Sequence, residues 1–185
     1  MGLGGVSCFH ARNCREYGGM NMEAIDCLGF DHIDLTVNDL ERSRAWYERV
    51  LGRLGFDMFK EESASGSVIF VNGVTSIALR PASPERQDAI FDRYRVGLHH
   101  LALRAARRED VDRFHGWLVA EGLPVLDPPS EYTEYGRDYY AVFFSDPDGL
   151  KLELVHFPWG YWRRALTDGQ DDRARYPRSL GRRKR

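Results

Sequence analysis

The chain has 185 residues, 43% hydrophobic and 12% aromatic, and a net charge of −2. That length suits one domain of ordinary size, and that apolar content supports a buried core rather than disorder. The balanced charge argues against nucleic-acid binding by the molecule as a whole. The longest apolar run, Tyr139–Phe144, is far below the roughly 18 residues of a membrane span.

Residues 1–28 are Gly-rich and aperiodic and read as a poorly ordered leader. Cys8, Cys14 and Cys27 are odd in number and fit neither a CxxC nor a zinc spacing, so they read as free thiols. No charged segment followed by an apolar stretch marks a secretory signal, and a cytoplasmic location is expected. Met20 and Met22 offer an alternative translation start just before the first regular pattern.

From His32 the pattern becomes regular. Ile33, Leu35 and Val37 alternate with His32, Asp34 and Thr36, the period of a strand with one apolar and one polar face. Asn38 or Asp39 suits the cap of a following helix, whose stripe is Leu40, Trp46, Tyr47, Val50 and Leu51. Gly52 is expected at its left-handed C-terminal position. Strands are predicted over 55–60, 67–71 and 74–80, with a hairpin turn at Asn72-Gly73. A polar linker with two prolines follows, over 81–96.

The order then repeats. His100 precedes Leu101 as His32 precedes Ile33, and a helix carries Val111, Phe114, Trp117 and Leu118 and ends near Gly122. Strands are predicted over 123–126, 138–145 and 150–156, with a turn at Asp146-Pro147-Asp148-Gly149. The expected fold is α+β: two paired βαβββ units, 29–80 and 97–157, forming a curved, cup-like mixed sheet with helices on its outer face. The units form a single domain over 29–157.

The rest, 158–185, is a basic tail. From Arg163 on it has nine Arg or Lys against three Asp, which leaves −8 for the remainder of the chain. Its plain reading is a solvated terminus; the competing one is salt-sensitive contact with an anionic surface. Trp159 and Trp162 are expected to close over the domain or an oligomer interface.

Aligning the repeats sets His32 on His100 and Ile77-Ala78-Leu79 on Leu152-Glu153-Leu154. Parity then places both imidazoles and Glu153 on the concave face, with His99 on the opposite one. Two imidazoles and one carboxylate are the donors of a metal site with open positions. A lone strand His is more often structural; the matched repeat is what raises these two above that. His156 falls on the other face and reads as structural, and His115 belongs to the helix surface or core.

The repeated His strands DHIDLTV and LHHLAL, together with DPDGLKLELV, resemble the vicinal oxygen chelate superfamily. That superfamily includes glyoxalase I, fosfomycin-resistance enzymes, bleomycin-resistance proteins, methylmalonyl-CoA epimerase and extradiol dioxygenases. The resemblance covers about residues 29–157. It implies a divalent metal (Zn, Mn, Ni or Fe) on His32, His100 and Glu153, and a small substrate chelated through adjacent oxygens. The fourth ligand of glyoxalase I and the epimerase would fall on Ala78, which cannot coordinate, so the set looks more like that of fosfomycin-resistance enzymes or extradiol dioxygenases.

Catalytic roles are expected for Glu153 and Tyr140, and substrate contacts for Arg80, Arg104, Arg137 and Tyr139. The arginines would pair with a carboxylate or phosphonate, and a tyrosine near the metal would donate a hydrogen bond or proton. The plain alternatives are rim charges in water and sheet packing. The expected partners are a small molecule and a second copy of the chain, with no nucleic acid and no membrane. The ligands come either from one chain or from two. The competing function is non-catalytic drug binding of the bleomycin-resistance type.

Overall fold

A computed structural model describes residues 16–17, 20–21, 29–59, 66–87 and 89–158. The three cysteines, Trp159, Trp162 and the basic tail lie outside them. The chain divides into two compact units, Met1–Asp31 and His32–Arg185. In the first, β1 (Glu16–Tyr17) and β2 (Met20–Asn21) pair antiparallel.

The second unit holds both repeats. Its first half runs β3 (His32–Val37), α1 (Leu40–Arg53), β4 (Asp57–Phe59), β5 (Val68–Val71) and β6 (Ser76–Pro81). The sheet order is β3-β6-β5-β4, with β3 parallel to β6. The second half runs β7 (Leu101–Arg104), α2 (Arg108–Ala120), β8 (Val125–Glu131), β9 (Tyr140–Ser145) and β10 (Lys151–His156), in the order β7-β10-β9-β8. The expected α+β pair of βαβββ units is present. The two four-stranded sheets are separate and open, because β3 and β7 each lie at a sheet edge and do not pair with one another.

Local chemistry explains most boundaries. Asp39 caps α1, its carboxylate accepting from the Arg42 amide at 3.0 Å. The left-handed residue after α1 is Gly55 rather than Gly52, which lies within the helix. Helix α2 ends as expected, with Gly122 at φ 66°. The Asn72-Gly73 turn is a four-residue loop over 72–75, in which the Asn72 side chain accepts from the amides of Val74 and Thr75. Strand β8 runs to Glu131, beyond the expected 126, despite Pro128 and Pro129. It is an edge strand, where missing donors are tolerated, and its pairing with β9 carries register shifts.

One apolar core joins the two repeats. Leu35, Val37, Phe70, Ile77 and Leu79 pack with Trp46, Tyr47, Val50 and Leu51 of α1; Val142, Phe144, Leu152 and Leu154 pack with Val111, Phe114 and Leu118 of α2. Trp46 stacks on Phe144 at 6.2 Å between ring centres. The Tyr47 hydroxyl donates to buried Asp146 at 3.0 Å, and the Asn38 amide donates to Asp148 at 2.7 Å. A unit of some 50–60 residues buries so little surface that it would be marginal alone, which is a physical reason for the shared core.

Candidate functional site

On β10, Leu152 and Leu154 enter the core beneath α2, so Glu153 between them must face the other side of the sheet. There it stands beside Phe143 of β9 and near Ala141, Val155 and Phe157, a small apolar cluster distinct from the main core. Its residue is 1% exposed. A cavity of about 540 Å³ opens over it, lined by His99, His100, Glu134, Tyr135, Tyr139, Phe143 and Lys151. That volume is within the range of small-molecule clefts.

The donors at its floor are ordered by two contacts. The Tyr139 hydroxyl donates to Glu153 Oε1 at 2.5 Å. His100 Nε2 lies 3.2 Å from Glu153 Oε2. Burial raises the Glu153 pKa, opposed by the Tyr139 hydrogen bond and by Lys151. Burial lowers the His100 pKa, helped by the positive charges of His99, Lys151 and Arg93. Both shifts disfavour the charged forms, which weakens any ion pair between the two groups. Tyr139 is raised by burial and by Glu153, and remains a phenol donor.

Glu153 Oε2 is buried and receives no hydrogen bond. A buried carboxylate oxygen without a donor is costly. Two donor atoms 3.2 Å apart match neighbouring ligands of a first-row cation, whose bonds are about 2.0–2.2 Å. This pair fits a divalent metal. Among the described residues, however, no group of three or more His, Cys, Asp or Glu stands close enough to hold one. His32 lies at the exposed start of edge strand β3, in the other sheet.

A profile described as the Glyoxalase/Bleomycin resistance protein/Dioxygenase superfamily matches residues 29–154. The chain belongs to this superfamily. It is 34% identical over 124 residues to the uncharacterized protein YqjT of Bacillus subtilis, covering 67% of this chain and 95% of that one. It is 31% identical over 134 residues to the metallothiol transferase FosB of Bacillus licheniformis, covering 72% and 78%. Among solved structures, a glyoxalase-like protein from Bacillus halodurans aligns with a TM-score of 0.58 at 32% identity, covering 69% of this chain and 95% of the other.

Within this superfamily fold, the remaining expected residues divide sharply. Tyr139, expected to contact substrate, lines the cleft. Tyr140, expected to be catalytic, does not: strand alternation turns it toward α2. There its hydroxyl donates to Asp112 at 2.6 Å and the Arg108 guanidinium lies 3.7 Å from its ring centre. Arg80 is paired with Asp34 at 2.5 Å on the first sheet. Arg104 donates to the Phe157 carbonyl at 2.8 Å, which ties down the end of β10. Arg137 is 86% exposed beside Asp138. None of these three arginines lines the Glu153 cleft.

His99, Tyr135 and Lys151 line the cleft without having been assigned a role there, although Lys151 shares the concave parity in sequence. His99 was placed on the opposite face by strand parity, but it precedes β7, where alternation does not yet operate. Lys151 lies 3.6 Å from the Phe143 ring centre, with 14% of its side chain exposed, and 3.7 Å from Asp127. His156, opposite Tyr140 on β9, faces away from the cleft, with a buried Nδ1 that has no hydrogen bond. Among the described residues no helix is long and apolar enough to cross a membrane.

Proposed function

We propose that the protein is a metal-dependent enzyme of the glyoxalase and dioxygenase type, acting on a small substrate that presents adjacent oxygens to a divalent cation. The carrying observation is the buried Glu153 carboxyl at the floor of an aromatic cleft, with an oxygen that lacks a donor and faces His100 Nε2 at 3.2 Å. The name of the FosB relative, a metallothiol transferase, supports the reading. When bound, the cation supplies electrophilic polarisation of a substrate oxygen.

The chain's own residues supply the rest. His100 and Glu153 would hold the cation, and Tyr139 fixes Glu153 through Oε1 so that Oε2 stays free. Tyr135, Tyr139 and Phe143 give the cleft aromatic walls, and Lys151 offers a cation for an anionic group of the substrate. His32 completes the donor set from a second copy of the chain, in a homodimer with shared sites. Two features support that: His32 belongs to β3, an edge strand among the described residues, and no third donor stands beside the His100–Glu153 pair among the described residues.

Metal content after loading with Zn(II), Mn(II), Ni(II) or Fe(II) tests this. The expected value is about one ion per chain, lost in His100→Ala and in Glu153→Ala. Mixing His32→Ala with Glu153→Ala subunits should restore binding in the heterodimer, where one site has all three donors. No restoration would refute the shared site, and no metal in the wild type would refute the enzyme reading. The aromatic lining also favours a second reading, non-catalytic capture of a flat ligand, for which binding would survive a chelator.

A further inference from the structure

A second cavity, of about 690 Å³, lies where the two repeats meet, and among the described residues it shares no lining residue with the Glu153 cleft. The first repeat contributes the end of α1 and the loop over 72–75; the second contributes β7 and the start of α2. Buried Phe56, Phe114 and Leu154 give it an apolar floor. Arg53, Arg104, Arg107 and Arg113 also line it, against one carboxylate, that of Asp110. This is a local excess of positive charge on a chain of net charge −2. Arg107 and Arg113 are tied together, because the Nη2 of each donates to Asp110 Oδ1, that of Arg107 at 3.3 Å. A guanidinium has five N–H donors, so one shared carboxylate leaves several of them for a ligand. Arg53 is exposed and has no ion pair among the described residues.

We propose that this cavity is a second binding site, for a small molecule that carries a phosphate group on an apolar body. Guanidiniums pair with phosphate oxygens through parallel N–H bonds, which fix orientation as well as attract. Arg107 and Arg113 meet the ligand as a pair held by Asp110, and Arg53 reaches it from the other repeat. A phosphate dianion suits the site better than a single carboxylate, because four guanidiniums against one carboxylate leave more than one positive charge to balance. The apolar floor takes the organic part of the ligand, and the volume is within the range of small-molecule sites. A nucleic-acid strand fits less well. It is bound along a basic groove with aromatic rings open to stack on bases, and the two phenylalanines here are buried. The site is separate from the Glu153 cleft, so the proposal does not rest on the metal reading.

Phenyl phosphate is the probe, titrated by calorimetry into the full chain with a chelator present, at pH about 8, where a phosphate monoester is a dianion. Saturable binding of about one molecule per chain is expected, tighter than that of inorganic phosphate, which has no apolar part. Arg53→Gln and Arg113→Gln should each weaken binding by about tenfold, the loss that follows removal of a hydrogen bond between charged groups. Both side chains are exposed, so both variants should fold, with melting temperatures close to that of the wild type. Arg86→Gln makes the same change in net charge at an exposed position outside the cavity, and it should bind as the wild type does. No saturable binding, equal weakening in Arg86→Gln, or full affinity in Arg53→Gln and Arg113→Gln would overturn the proposal. So would loss of binding in Lys151→Gln, which would assign the probe to the Glu153 cleft.

Discussion

Replacing Glu153 with Gln should make the metal-free protein more stable and the metal-loaded protein comparatively less so. The carboxylate is 1% exposed, and one oxygen has no hydrogen bond. An amide of the same shape keeps an oxygen for the Tyr139 hydroxyl and places an NH2 toward His100 Nε2, which accepts in one neutral tautomer. It replaces an orphaned acceptor with a donor and, at pH above the raised pKa of Glu153, removes a buried charge, a gain there of about 1–2 kcal/mol. For a chain of this size that is roughly 3–6 °C in Tm. The sign with pH follows from the raised pKa of Glu153. Through this group the wild type is most stable below the ordinary carboxylate pKa, and it loses that stability as pH rises through the folded-state value. The Gln variant lacks that slope, so the gap widens between the ordinary and the raised pKa of Glu153 and is constant above it. Metal at about 100 times its dissociation constant adds about 2.7 kcal/mol to the wild type and little to the variant, so the order of Tm values reverses. Differential scanning calorimetry at two pH values, with and without metal, reads all of this. A metal-free Gln variant melting below the wild type, or equal metal shifts in both, would refute the reasoning.

Other outcomes follow from single contacts. Tyr140→Phe loses the hydroxyl that bonds Asp112 and faces Arg108, so denaturant unfolding should show about 1 kcal/mol of lost stability while metal affinity stays unchanged. Tyr47→Phe withdraws a donor from buried Asp146 and should cost about 1.5–3 kcal/mol by the same measurement. Phe144→Ala removes the ring between Trp46 and Phe114 in the shared core, for a loss of about 3–5 kcal/mol and unfolding in one transition. A two-step melt would contradict a core common to both repeats.

The residues that alternate along β3, β9 and β10, the helical stripes and the Asp39 cap are local signals, and they carried the fold class and the cleft-facing position of Glu153. Period two needs only the sequence, because neighbouring side chains on a strand must point to opposite faces. The same rule misplaced His99, one step before a strand begins. The choice of Tyr139 over Tyr140 required knowing where β9 starts and that α2 offers Asp112 to the other ring. The extension of β8 through two prolines and the separation of the sheets were likewise beyond local pattern. Each depends on groups far apart in the chain or on angstrom-scale side-chain placement. Sequence by itself determined which residues carry donors and which face most of them occupy; the tertiary structure decided which donors meet, because that is settled by packing between elements.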